Sequence, residues 1–216
     1  MKKKSNHIIL FILLIITATA ISRSNKIEKN PYYKYDKQGN LFRPKDYRSW
    51  IFAGTVASPK ILDPNVIFPD FQNIYIDPIS FKFWKKNGYF REGTIFVKEL
   101  LKATDRRELP IGKGFVQGKV WDVAVTIKDT ARYPKAPGGW EYFDFVEDKD
   151  GNYDEFSPVM GNTGCIACHS KSETGYGPFS ELYAPLRDAQ GFDKDNPENL
   201  SNRNKLPSYL LRYLNE

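Results

Sequence analysis

Gly93-Thr94-Ile95-Phe96-Val97-Lys98-Glu99-Leu100-Leu101 reads as a β-strand. Its β-branched and aromatic residues suit a pleated, packed surface. Alternation puts Phe96, Lys98 and Leu100 on one face and Val97, Glu99 and Leu101 on the other. Either charged residue could be the one turned inward, and the pattern fits a solvated Lys98 as well as a buried one. Working outward, Asn73–Asp77 and Lys119–Lys128 have the same character, and beyond them Trp50–Val56 and Trp140–Val146. Gly and Pro clusters divide these runs, notably Pro134 with Pro137-Gly138-Gly139. One helix is predicted over Ile79–Asn87, opened by Asp77-Pro78 and closed by Gly88. A second begins within Gly161–Ser170. Short connections favour antiparallel pairing. The expected fold is a β-dominated α+β domain built on an antiparallel sheet with a few helices.

The ends of the chain read differently. Lys2, Lys3 and Lys4 precede the apolar run Ile8–Ile16, and Ala18 and Ala20 follow in an A-x-A pattern. Residues 1–20 therefore read as a signal peptide that directs export. The apolar run is short of the roughly 20 residues of a comfortable membrane span, so an uncleaved anchor at the outer membrane face is the lesser reading. Residues 21–40 are expected to form an exposed arm, 41–190 the globular domain, and 191–216 a polar tail. Leu206, Leu210, Leu211 and Leu214 recur at helical spacing and suggest a short terminal helix. The formal net charge of +6 includes the three signal lysines, so removing residues 1–20 leaves +3. The remaining charges are mixed and form no basic stripe, which argues against nucleic-acid binding. Among 216 residues, the 41% that are apolar suffice for one ordinary core. The 15% aromatic share suits strands or a large flat ligand.

The two cysteines of the chain are Cys165 and Cys168. A disulfide across a two-residue gap would close a small strained loop, and a redox dithiol is the other use of such a pair. His169, directly after Cys168, decides between the readings. Cys165-Ile166-Ala167-Cys168-His169 is C-x-x-C-H, the attachment run of a c-type haem. Two thiols about one helical turn apart each bond one vinyl group of the porphyrin, and the adjacent imidazole becomes the metal ligand beneath the iron. His7 lies in the signal, so His169 is the one histidine left after cleavage. Met160 stands five residues before Cys165, on the approach to the proximal side. An electron carrier ordinarily has a strong sixth ligand such as Met or His. Without one the iron is five-coordinate or holds water, which points to binding or catalysis at an open position.

The sequence resembles the cytochrome P-460 family over about residues 41–187, in one consistent order. The resemblance is carried by Tyr47-Arg-Ser-Trp50, Gly54–Pro59, Asn73–Pro78, Phe83–Gly88, Phe90–Leu100, Lys128-Asp129, Gly139-Trp140, Cys165–His169 and Tyr183–Arg187. It implies a periplasmic monohaem cytochrome, a homodimer, with a β-rich fold and a haem bonded additionally to a lysine. That lysine falls on Lys98. The implied activity is oxidation of hydroxylamine to nitrogen oxides, often nitrous oxide, with electrons passed to a periplasmic acceptor such as a small cytochrome c. A sister group, cytochrome c′-beta, shares the fold, lacks the cross-link and binds nitric oxide. The family's distal carboxylate, five residues before the aspartate of the K-D pair, falls on Ala124, which cannot accept a proton. Asp122 lies two residues earlier on the same strand face, about 7 Å away, and is the candidate substitute; a solvated surface aspartate is its other reading. Gln72 stands where some members carry a basic residue, and at neutral pH it can hydrogen bond but not transfer protons. Hydroxylamine oxidation and nitric-oxide binding are therefore both open, with plain electron carriage a third reading.

Overall fold

The computed structural model describes residues 30–104, 107–110, 112–161 and 164–190. The expected signal peptide, residues 21–29 of the expected arm, and the expected polar tail with its terminal helix lie outside the described residues. In chain order the described elements are β1 (Leu41–Phe42), β2 (Ile51–Ala57), β3 (Phe71–Ile76), α1 (Pro78–Asn87) and β4 (Ile95–Ala103). They continue with β5 (Arg107–Leu109), β6 (Gly112–Gly114), β7 (Gln117–Lys128), β8 (Trp140–Val146), β9 (Phe156–Ser157), α2 (Gly164–His169) and α3 (Ala184–Arg187).

The five strands expected from the sequence form one antiparallel sheet in the order β2-β3-β4-β7-β8. The opening stretch is its central strand, β4. The fold is thus the β-dominated α+β arrangement expected. Two small pairs were not anticipated, β1 with β9 and β5 with β6. Strands of two or three residues are too short to show a period. Helix α1 forms where its end signals predict. The Asp77 carboxylate accepts from the Ser80 N–H at 2.8 Å, and its other oxygen accepts from the Ile95 N–H at 3.1 Å. The cap therefore also ties the helix to the start of β4. Gly88 ends the helix in the left-handed region, at φ 77°, where a side chain would be strained.

Both faces of the sheet are covered. One face packs Leu41, Trp50, Val97, Val125, Phe143 and Phe145. The other packs Ile74, Trp84, Phe96, Trp140, Ile166 and Leu186, and it carries α2 and α3. This double cover answers the ambiguity in β4. Lys98 and Glu99 both point inward, to opposite sides. Glu99 is 1% exposed and accepts from the Tyr47 hydroxyl at 2.7 Å and Arg48 Nε at 2.6 Å. A charge so buried survives because several donors surround it.

The N-terminal arm is corrected where it is described. Residues 30–40 are not an exposed extension. Asn30 is buried and donates to the Gly93 carbonyl at 2.5 Å, and Tyr32 meets Trp50 edge-on at 5.2 Å. Tyr33 and Tyr35 pack beside the same core. The tyrosine rings supply apolar area that the polar character of the segment concealed.

Candidate haem site

Helix α2 presents the C-x-x-C-H run on the face of the sheet that carries Lys98. Ile166 is its buried anchor; Cys165 is half-buried and Cys168 exposed, and both are free thiols. His169 Nδ1 lies 2.7 Å from the Gly177 carbonyl. A carbonyl only accepts, so Nδ1 carries the hydrogen and Nε2 keeps its lone pair for a metal. The imidazole stands between Tyr142 and Phe179, with ring centroids 4.8 and 5.0 Å away. Burial holds it below the usual histidine range, the Gly177 bond opposes this, and the Lys98 charge lowers it further. The neutral, ligating form is thereby favoured.

The loop that supplies Gly177 is itself tied down. Ser172 and Thr174 hydroxyls both donate to the Pro178 carbonyl at 2.8 Å, and the Tyr142 hydroxyl donates to the Tyr176 carbonyl. A Cβ at Gly177 would come within 2.9 Å of the Trp140 indole and 2.7 Å of the Thr174 hydroxyl. Only glycine brings its carbonyl this close to His169. Gly177 was not singled out from the sequence, because its role appears only once Trp140 and Thr174 are packed around it.

Lys98 faces the same space. Its Nζ lies 3.9 Å over the Phe68 ring, and none of the ion pairs among the described residues involves it. Burial pushes its pKa down, against the charges of Cys168, Asp122, Cys165 and Asp144. The loop bearing Phe68 is fixed by Gln72, whose amide donates to Ser58 Oγ and the Phe68 carbonyl, both at 3.1 Å. Trp121 Nε1 adds a bond to the Pro69 carbonyl at 3.2 Å. Gln72 thus uses its N–H groups to hold this loop.

Register completes the picture. In the ladder, Ile74, Lys98, Ala124 and Asp144 stand opposite one another across β3, β4, β7 and β8. Asp122 pairs with Leu100, one step along on the Lys98 face. It is 6% exposed, so the solvated-surface reading of Asp122 does not hold. Asp144, directly opposite Ala124, was missed in the sequence. Strand parity gives its face, but its neighbour depends on how β7 and β8 pair. Met160 donates its backbone N–H to the Tyr142 carbonyl at 3.0 Å, at the outer edge of β8, beside the residue that packs on His169.

The donor set fits haem c. It offers two free thiols one turn apart, an imidazole with its tautomer fixed, an amine with no acid partner among the described residues, and an aromatic wall. An antiparallel sheet bearing such a site defines a haem c cytochrome of the β-rich class. The chain matches the Cytochrome P460 family over residues 44–175, more than half its length, and belongs to that family. No curated protein matches it.

Proposed function

We propose that this chain is an exported, periplasmic monohaem cytochrome that oxidises hydroxylamine to nitrous oxide. The observation that carries this reading is that Lys98 and Asp122 share the sheet face on which α2 packs with His169 at its end, while the Met160 backbone is tied to the edge strand β8. When bound, haem c supplies an iron with one position left for a nitrogen ligand and a path for electrons. Cys165 and Cys168 would hold the macrocycle through two thioether bonds, and His169 Nε2 would ligate the metal. Lys98 would bond the macrocycle edge; its lowered pKa leaves more of it as the free amine, the form able to make that bond. The Phe68 ring covers the Lys98 amine on one side. Electrons leave to a periplasmic acceptor such as a small cytochrome c, and the protein works as a homodimer.

A second reading rests on Ala124. With no carboxyl at that position, the protein would bind nitric oxide as cytochrome c′-beta does, with little turnover. Steady-state oxidation of hydroxylamine by the purified holoprotein with an artificial electron acceptor separates the two. Nitrous oxide released in step with acceptor reduction is the expected result. Tight nitric-oxide binding without any hydroxylamine turnover would overturn the enzyme reading in favour of the second.

A further inference from the structure

We infer that Asp122 and Asp144 act together as the proton-accepting site on the haem-facing side, sharing one proton between their carboxyls. The inference rests on the hydroxylamine reading and names the group that stands in for the carboxylate absent at Ala124.

Asp144 lies directly opposite Ala124 on the neighbouring strand, and Asp122 is one diagonal step from it. Tyr142, two residues before Asp144, packs on His169, so this face of β8 is the haem-facing one. Asp122 is 6% exposed, and its Oδ1 has no hydrogen-bond donor among the described residues. The register puts Asp144 diagonally across from it on the same face, close enough for its carboxyl to act on Asp122. Two ionised carboxylates cannot satisfy each other, because both only accept. One proton between them satisfies both, and like charges this close favour taking it up. Burial, the Asp144 bond and the Asp144 charge push Asp122 up to about 7, while the Val123 N–H and Lys98 pull it down. The charged or titratable groups facing Asp122 are Asp144 from β8, Lys98 from β4, and Tyr153 from the segment after β8.

A proton-accepting group works best when its pKa lies near the working pH. In the step assigned to the pair, the N–H bond of hydroxylamine breaks and its electron pair stays on nitrogen. An O–H bond forms on Asp122 or Asp144, and this proton becomes the shared one. The step itself is not a redox step; the electrons leave afterwards to the acceptor named above. Oxidation therefore rises with pH through about 7, as Asp122 loses its proton.

The test combines infrared spectroscopy of the holoprotein with steady-state kinetics, for wild type, Asp122→Asn, Asp144→Asn and the double variant Asp122→Asn with Ala124→Glu. Haem content is measured first, to show that each variant is loaded. Wild type should show a protonated-carboxyl stretch that fades as pH rises through neutrality, and either single substitution should remove it. Each should slow oxidation by about 10²-fold or more without weakening initial hydroxylamine binding. The double variant should recover turnover, because Glu at 124 stands directly opposite Asp144; a merely structural loss would not be rescued. The inference is overturned if wild type shows no such stretch between about pH 5 and about pH 9, or if either single variant oxidises at the wild-type rate. If wild type does not oxidise hydroxylamine at all, the enzyme reading fails separately. The pair is then judged by nitric oxide: a shift of the carboxyl stretch on binding supports it, and an unmoved stretch overturns it.

Discussion

Lys98 carries an amine into a buried place with no acid within ion-pairing distance among the described residues, and its neighbour Glu99 sits among four donors on the opposite face. The contrast separates their uses. Glu99 is held by Tyr47, Arg48, Asn73 and Tyr75 and belongs to the architecture. Lys98 is left available. In tryptic digests of the holoprotein, the peptide containing Lys98 is expected to travel with the haem and with the peptide containing His169. Recovery of the Lys98 peptide free and unmodified would move the protein to the cytochrome c′-beta side. Strand parity was legible from the sequence, yet parity could not tell which of two adjacent charges was buried. In a sheet covered on both faces both turn inward, Glu99 fully buried and Lys98 half-buried. Asp144 was out of reach for a related reason. Its face could be counted off from Tyr142, but its position opposite Ala124 depends on the pairing of β7 with β8.

Helix α2 has six residues, and its hold on the molecule comes from Ile166 beneath it and the Gly177 carbonyl beside it. A helix this short is not stable by itself. Its two cysteines should nonetheless dominate cofactor retention. Haem is expected to stay with the protein through acid-acetone extraction, and Cys165→Ala combined with Cys168→Ala should release it; the optical spectrum of the extract reports the outcome. Haem extracted freely from wild type would remove the thioether attachment. Elements with end signals were readable in advance. Asp77, Pro78 and Gly88 bound α1 because each satisfies or interrupts specific backbone groups. The two-residue strands β1 and β9 lacked that chemistry. The loop from Ser170 to Phe179 did as well, although it sets the tautomer of His169.

Across the whole molecule, the raised carboxyl on the haem-facing side gives a pH-dependent stability. Asp122 moves from an ordinary value of 3.8 to about 7 on folding. The folded state therefore holds a proton that the unfolded chain releases, and this contribution to stability is lost as pH rises between those two values. Urea unfolding should show wild type weakening from about pH 4 to about pH 7, while Asp122→Asn loses less over the same interval. A wild-type profile no steeper than that of Asp122→Asn would refute the assignment. The five-stranded sheet was foreseen because its strands are long, apolar and separated by turn residues. The packing of Tyr32, Tyr33 and Tyr35 against the core was not, because these tyrosines are scattered among charges. The placement of Lys98 on the central strand and of Cys165 near the end of the described chain has a topological consequence. With the proposed lysine bond, the porphyrin becomes a covalent bridge closing a ring of roughly 70 residues, and in the chain-entropy picture such a ring restricts the unfolded chain by about 4 kcal/mol. With both cysteines taken up by the cofactor as proposed, the pigment would serve as the staple that a disulfide provides elsewhere.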